Sequence, residues 1–194
     1  MDKQNGGVMK NKKYELLDSD TVQSLDGRTL KRIRALVEIG SLVSAGELGG
    51  YIESESNLDV EGNAWVGGNA SVRGNAQVYG DARVYGNASV RGNASVYGNA
   101  LVCGNARVYG DALVCSDAQI KQRTDLFWIS IIGSENGTYT AFKGKDGGIL
   151  VNRGCFNGTL EEFAGAVNKR HDGKFNNEYK LVIELTKLRL GEVV

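Results

Sequence analysis

The side chains in this sequence with the most chemical potential are one histidine, three cysteines and a set of aromatic and cationic residues at regular spacing. A thiol nucleophile needs an adjacent base, and a metal site needs clustered ligands. Cys103, Cys115 and Cys155 are odd in number and show no CxxC spacing, so they read as reduced thiols; no disulfide framework and no metal centre are expected. The glycine-rich run GGNASVRGNA contains neither GxGxxG nor GxxxxGK[ST], so it is no phosphate loop. The Asn and Asp residues that follow the glycines do not fit calcium-binding repeats, which run to nine residues with paired glycines. Recognition chemistry is what remains. Trp65, Arg73, Tyr79, Tyr85, Arg91, Tyr97 and Tyr109 are the candidates for binding or assembly, because Tyr, Trp and Arg dominate the energetics of protein interfaces. Their bland counterpart, outward strand residues favoured by β-propensity, carries equal weight.

What positions these residues is a six-residue unit, A-x-V-x-G-N. Valine recurs every six residues from Val60 to Val114 with Ile120 next, and alanine recurs from Ala64 to Ala118. Glycine recurs from Gly62 to Gly110, each followed by Asn, Asp81 or Asp111. Ala and Val lie two apart, so an extended chain points both to one face. Gly-Asn tolerates positive φ and supplies the corner. A chain of hairpins would set Tyr79 opposite Ala82 and Val78 opposite Arg83, giving every second strand an apolar side in water. Corners that all bend one way instead aim every Ala and Val at a common axis and stack successive coils as parallel strands. Six residues must be ordered for each Val, more than one Val can stabilise, so the hydrogen-bond ladder, the Ala contacts and sealed ends are all required.

With an aliphatic residue followed four positions later by a small one, as in Val78-Tyr79-Gly80-Asp81-Ala82, the chain resembles the hexapeptide-repeat, left-handed parallel β-helix proteins. The resemblance covers residues 60–120 firmly and 36–59 loosely. It implies three hexads per coil, a triangular section, a left-handed turn and a trimer or dimer. Upstream, Leu36, Leu42 and Leu48 fall at Val positions, and Gly40, Gly46, Ile52 and Leu58 fall at Ala positions, so one irregular coil is expected before the regular hexads. On an 18-residue coil Asn63, Asp81, Asn99 and Asp117 stack in alternation, so no two carboxylates are adjacent. Tyr79 stacks with Tyr97 and Arg73 with Arg91, while Trp65 and Arg83 share the remaining face.

The flanks read differently. KKYELLD, TVQSLDG and RTLKRIRALV alternate between turn signals and predict a small β cap over residues 1–35. The β-helix is assigned to residues 36–120 and a small βββαα domain to residues 121–194. In that domain Glu135-Asn136-Gly137 marks a hairpin. Thr159 and Glu162 have capping-box spacing for a helix running to about Arg170, Gly173 is placed to stop it, and a second helix is expected from about Asn177 to Leu190. The expected fold class is thus an all-β solenoid, a left-handed parallel β-helix of hexapeptide repeats, with a small C-terminal α+β domain. GRTLKRIRAL, LGGYIESESNL and GSENGTYTAFKGKDGGILVNRGCFNGTLEEF look like segments of phage and prophage proteins carrying the same repeat, which suggests a source and no reaction.

Known relatives of the hexapeptide β-helix include acyltransferases and γ-class carbonic anhydrases, which use a histidine base or three histidine ligands. This chain has only His171, at the end of an expected helix where a cation complements the dipole. Catalysis is therefore not expected, nor any cofactor. Lys and Arg total 23, as do Asp and Glu, so no global field favours nucleic acid or an anionic membrane. No apolar run approaches the roughly 18–20 residues of a membrane span and the polar start lacks a signal-like stretch, so a cytoplasmic protein is expected. Met9 is an alternative start to Met1. The function these features suggest is non-catalytic binding: blocking or sequestering a host component, an anti-defence inhibitor if the phage resemblance holds. A nucleotide-type small-molecule sponge and a hexapeptide-repeat transferase with an unrecognised base are the alternatives.

Overall fold

The computed structural model describes residues 13–191; both candidate starts, Met1 and Met9, lie outside them. Strands β1 (Tyr14–Gln23) and β2 (Thr29–Ala35) form an antiparallel hairpin, and β2 pairs antiparallel with β3 (Leu48–Ile52). Ten two-residue strands follow: β4 (Trp65–Val66), β5 (Ser71–Val72), β6 (Gln77–Val78), β7 (Arg83–Val84), β8 (Ser89–Val90), β9 (Ser95–Val96), β10 (Leu101–Val102), β11 (Arg107–Val108), β12 (Leu113–Val114) and β13 (Gln119–Ile120). They stack in parallel as three columns, β3-β5-β8-β11, β4-β7-β10-β13 and β6-β9-β12, giving a solenoid of about four turns.

The register explains the stacking. Val66, Val84, Val102 and Ile120 pair in line, as do Val72, Val90 and Val108, and Val78, Val96 and Val114. Each step is 18 residues, three hexads per coil. These side chains are fully buried, and so are the alanines from Ala64 to Ala112, so the axis is lined with aliphatic groups alone. The corners take the left-handed conformation that glycine adopts without strain: Gly86 has φ 70°, and a Cβ there would lie 3.0 Å from the Gly104 nitrogen of the next coil. At the last corner Ser116 takes the same conformation at φ 55°. Side-chain amides link the corners along the axis, Asn63 donating to Asp81 at 2.8 Å, Asn93 to Asp111 at 2.9 Å and Asn99 to Asp117 at 3.1 Å.

Upstream of Ala64 the hexad frame is not the one the sequence suggested. Ile52 pairs with Val72 and Leu58 with Val78, separations of 20 residues where later coils have 18. Two extra residues therefore lie between Leu58 and Val66. Ile52 and Leu58 occupy Val positions and are buried, whereas Leu36, Leu42, Leu48 and Val60 are exposed. A single helical turn at Glu55–Asn57 forms the corner between Ile52 and Leu58, ahead of the insertion. The buried Asn57 amide donates to the Gly74 and Ala76 carbonyls and its oxygen accepts from the Glu53 and Ser54 N–H groups, replacing ladder bonds that the irregular coil lacks. The β-helix accordingly begins at β3 and not near residue 36; residues 36–47 form a loop pinned by an antiparallel bridge between Ile39 and Val43.

At the other end β14 (Leu126–Ile132), β15 (Gly137–Lys143), β16 (Ile149–Arg153) and β17 (Phe156–Thr159) form an antiparallel sheet, one strand more than expected. Helices α1 (Leu160–Arg170) and α2 (Gly173–Leu190) follow. The Thr159 hydroxyl accepts from the Glu162 N–H and the Glu162 carboxylate accepts from the Thr159 N–H, closing the expected capping box. Gly173, at φ 52°, separates the helices, but α2 starts there and not at Asn177. This unit has a core of its own around Tyr139, Phe163, Val167 and Tyr179. It also seals the last coil: Leu126 and Phe142 belong to the solenoid core, and the Lys145 N–H donates to the Asp117 carbonyl at 2.9 Å.

Candidate functional site

The three columns place the sequence candidates on different faces. Tyr79 and Tyr97 stack in parallel, ring centroids 4.9 Å apart and planes inclined by 1°. The ladder ends against the C-terminal unit, where the Asn152 amide reaches the Tyr97 hydroxyl at 3.5 Å and the buried Cys115 sulfur at 3.8 Å. Burial, and secondarily the Cys115 sulfur, push the Tyr97 hydroxyl well above the usual tyrosine range, so it stays protonated. Tyr85 lies on the second column with its ring across Gly67, where a Cβ would overlap it. Trp65 does not line any outer face: it is 1% exposed, against Ile33 and Gly49 under the N-terminal segment, and its indole N–H has no partner.

The column β3-β5-β8-β11 gathers the rest. Arg73, Arg91 and Tyr109 rise in line, the Arg91 guanidinium 4.8 Å from the Tyr109 ring centre, and Trp128 of β14 meets that ring edge-on at 4.4 Å. Beside them Ser71, Ser89 and Arg107 form a second line in register. The β1–β2 hairpin overhangs this face, and its tip with Tyr51, Ser71, Ser89, Arg91 and Arg107 encloses a cleft of about 610 Å³. Small serines make the floor and arginines the walls. Apart from Trp65 and Arg83, the sequence candidates were residues that follow a valine, so Ser71, Ser89 and Arg107 were missed, although the same 18-residue period aligns them. The overhang had no local signal.

Electrostatics tie the hairpin tip to the coil. Asp26 contacts Arg73 at 3.2 Å, Arg28 pairs with Glu53 at 2.7 Å, and Glu53 also accepts the Gly74 N–H at 2.7 Å. Ser24 first, then Arg73, hold the Asp26 carboxyl below the usual carboxylate range; for Glu53 the Gly74 N–H leads and Arg28 follows. A carboxyl depressed in the folded state contributes stability above its unfolded pKa of about 4 and loses it as pH falls through the lower folded value. The protection of the amides at residues 24–28, taken relative to their intrinsic exchange rates, is therefore expected to fall below about pH 4 while the coil core stays protected. Tip protection that is the same above and below that pH would contradict this tie.

Arg91 and Arg107 have no acidic partner among the described residues. The face can thus offer two uncommitted guanidinium forks, which suit carboxylate or phosphate oxygens. Among the described residues no group of three or more His, Cys, Asp or Glu is placed to hold a metal ion, and no helix is long and apolar enough to cross a membrane. His171 lies away from the coils, its ring 5.2 Å from that of Tyr179.

No curated protein matches the chain. Residues 76–92 and 100–116 match the family model described as the YdcK beta solenoid repeat. Those two segments fall within the stacked coils, and the parallel register around them makes this chain a repeat β-helix protein.

Proposed function

We propose that this chain is a non-catalytic binding protein whose arginine-bearing coil face captures a host macromolecule through an acidic surface. One observation carries the reading: Arg91 and Arg107 stand uncommitted beside a cleft on a hydrogen-bonded, parallel-stacked face. A preorganised surface loses little entropy on binding, and unpaired arginine is the residue type that anchors such contacts. On the phage resemblance the action would lie in the cytoplasm of an infected cell, with blocking or sequestering a defence component as the role. Self-association as a trimer or dimer through the Tyr79 and Tyr97 face would leave the arginine face open. The size of the cleft favours a second reading, a sponge for a nucleotide-type molecule whose phosphates would meet the same arginines.

Native mass spectrometry of the chain purified from its host separates these. An acidic protein bound to the parent and lost from an Arg91→Glu, Arg107→Glu double variant supports the first reading. A bound small anion lost in the same way supports the second. Tyr79→Ser with Tyr97→Ser should reduce the oligomer mass and leave capture unchanged. An apo species unaffected by the arginine changes, or acyl-CoA turnover abolished by His171→Ala, would overturn the proposal.

A further inference from the structure

We infer a second ligand site, independent of the coil faces, in the C-terminal unit: a pocket for a compact aryl acid, one carboxylate or phosphate on a flat apolar body. The pocket measures about 280 Å³, just below the roughly 300–1,000 Å³ usual for ligand sites, which suits a compact ligand. Arg153, at the end of β16, is its charged wall. That side chain is only 9% exposed, yet its charge is poorly compensated. Its Nη2 donates to the Ile132 carbonyl at 2.9 Å, its Nε–H has no acceptor, and the nearest carboxylate, Glu135, is 4.0 Å away and 82% exposed. A buried cation without a close anion is costly, and an anionic ligand would relieve that cost.

The surroundings are built for the guanidinium. Gly137 leaves the space that it fills: a Cβ there would lie 2.5 Å from Nη1 and 2.8 Å from the guanidinium carbon. Gly133, at φ 73°, clears the Tyr179 hydroxyl in the same way, and the Tyr179 ring centre lies 5.9 Å from the Arg153 charge. Phe156, Phe163 and Tyr179, packed edge to face with centroids 5.2 and 5.5 Å apart, supply apolar walls. Arg170 and His171, at the end of α1, complete the rim. Two arginines facing one lining acid and a floor of aromatic rings select a single negative group with an apolar body.

Benzoate and phenyl phosphate serve as probes, with benzamide as the neutral control, titrated into the full chain and followed by NMR shifts of residues 153–156 and 163–171. The expected result is saturable binding of at least one acid and none of benzamide, weakened about tenfold in Arg170→Gln, which removes a charge from an exposed residue. Arg153→Met should abolish binding; if that variant does not fold, Arg170→Gln alone decides. Benzamide binding as well as the acids, shifts confined to other residues, or acid binding indifferent to Arg170→Gln would each overturn the site.

Discussion

Val90→Asp is expected to yield no folded protein, whereas Val60→Asp, the same change at the same apparent place in the repeat, is expected to be nearly silent. Val90 lies on the axis between Val72 and Val108, fully buried, with the buried alanines Ala88 and Ala94 near it in the hexads. A carboxylate there would be desolvated without a partner. The penalty exceeds about 4–5 kcal/mol, comparable to the whole stability of an ordinary domain, about 5–15 kcal/mol. Val60 is 45% exposed in the two-residue insertion that shifts the frame, so its substitution should cost no more than about 0.5 kcal/mol. Circular dichroism and thermal melting of the two variants check both halves. A folded Val90→Asp, or a Val60→Asp as damaged as Val90→Asp, would show that the frame has been assigned to the wrong residues.

That pair also marks where the sequence was readable. From Ala64 to Ile120 period, corner and lining all follow from one rule, because each hexad repeats the same physical problem and the same solution. The rule fails where the coil changes length: a two-residue insertion leaves the sequence pattern at Val60 intact while moving it off the axis, and only the pairing of Leu58 with Val78 reveals it. The three-hexad coil was an implication of family resemblance, since hexad spacing alone sets no number per turn; the 18-residue register supplies it. The candidate site was legible in fragments. Alignment of Tyr79 with Tyr97 and of Arg73 with Arg91 follows from the period, but Trp65 is covered by a segment 16 or more residues earlier in the chain, a tertiary event with no periodic trace. The cleft needs the β1–β2 tip laid over β5 and β8, again a contact between distant segments. In the C-terminal unit the extra strand β17 was lost to the sequence because CFNGT is short and polar, and glycine lowers its strand propensity.

Ending the chain at Lys121 should convert it into a top-to-top dimer or larger aggregate, and the reason lies in what the two ends of the solenoid expose. A parallel stack has no lateral edge, but its final coil presents the unpaired N–H and C=O groups of β11, β12 and β13. In the intact chain these are partly answered by the C-terminal unit: the Thr140 hydroxyl accepts from the Leu113 N–H at 3.2 Å, Gly144 bridges to Ala118, and Phe142 and Leu126 close the core above Ile120. Trp128 covers Tyr109 on the outside. Removing the unit opens both the ladder and the aliphatic bore. The opposite end remains closed, since β2 pairs with the edge of β3 and Lys13 donates to the Asp59 and Glu61 carbonyls at 2.9 and 3.2 Å. A head-to-tail filament needs both ends open, so the geometry favours a closed pairing of two like ends. Sedimentation velocity of the truncated chain reads the outcome directly: a dimer of the truncated mass or a faster species is expected. A monodisperse monomer retaining β-sheet dichroism would show that the last coil needs no lid.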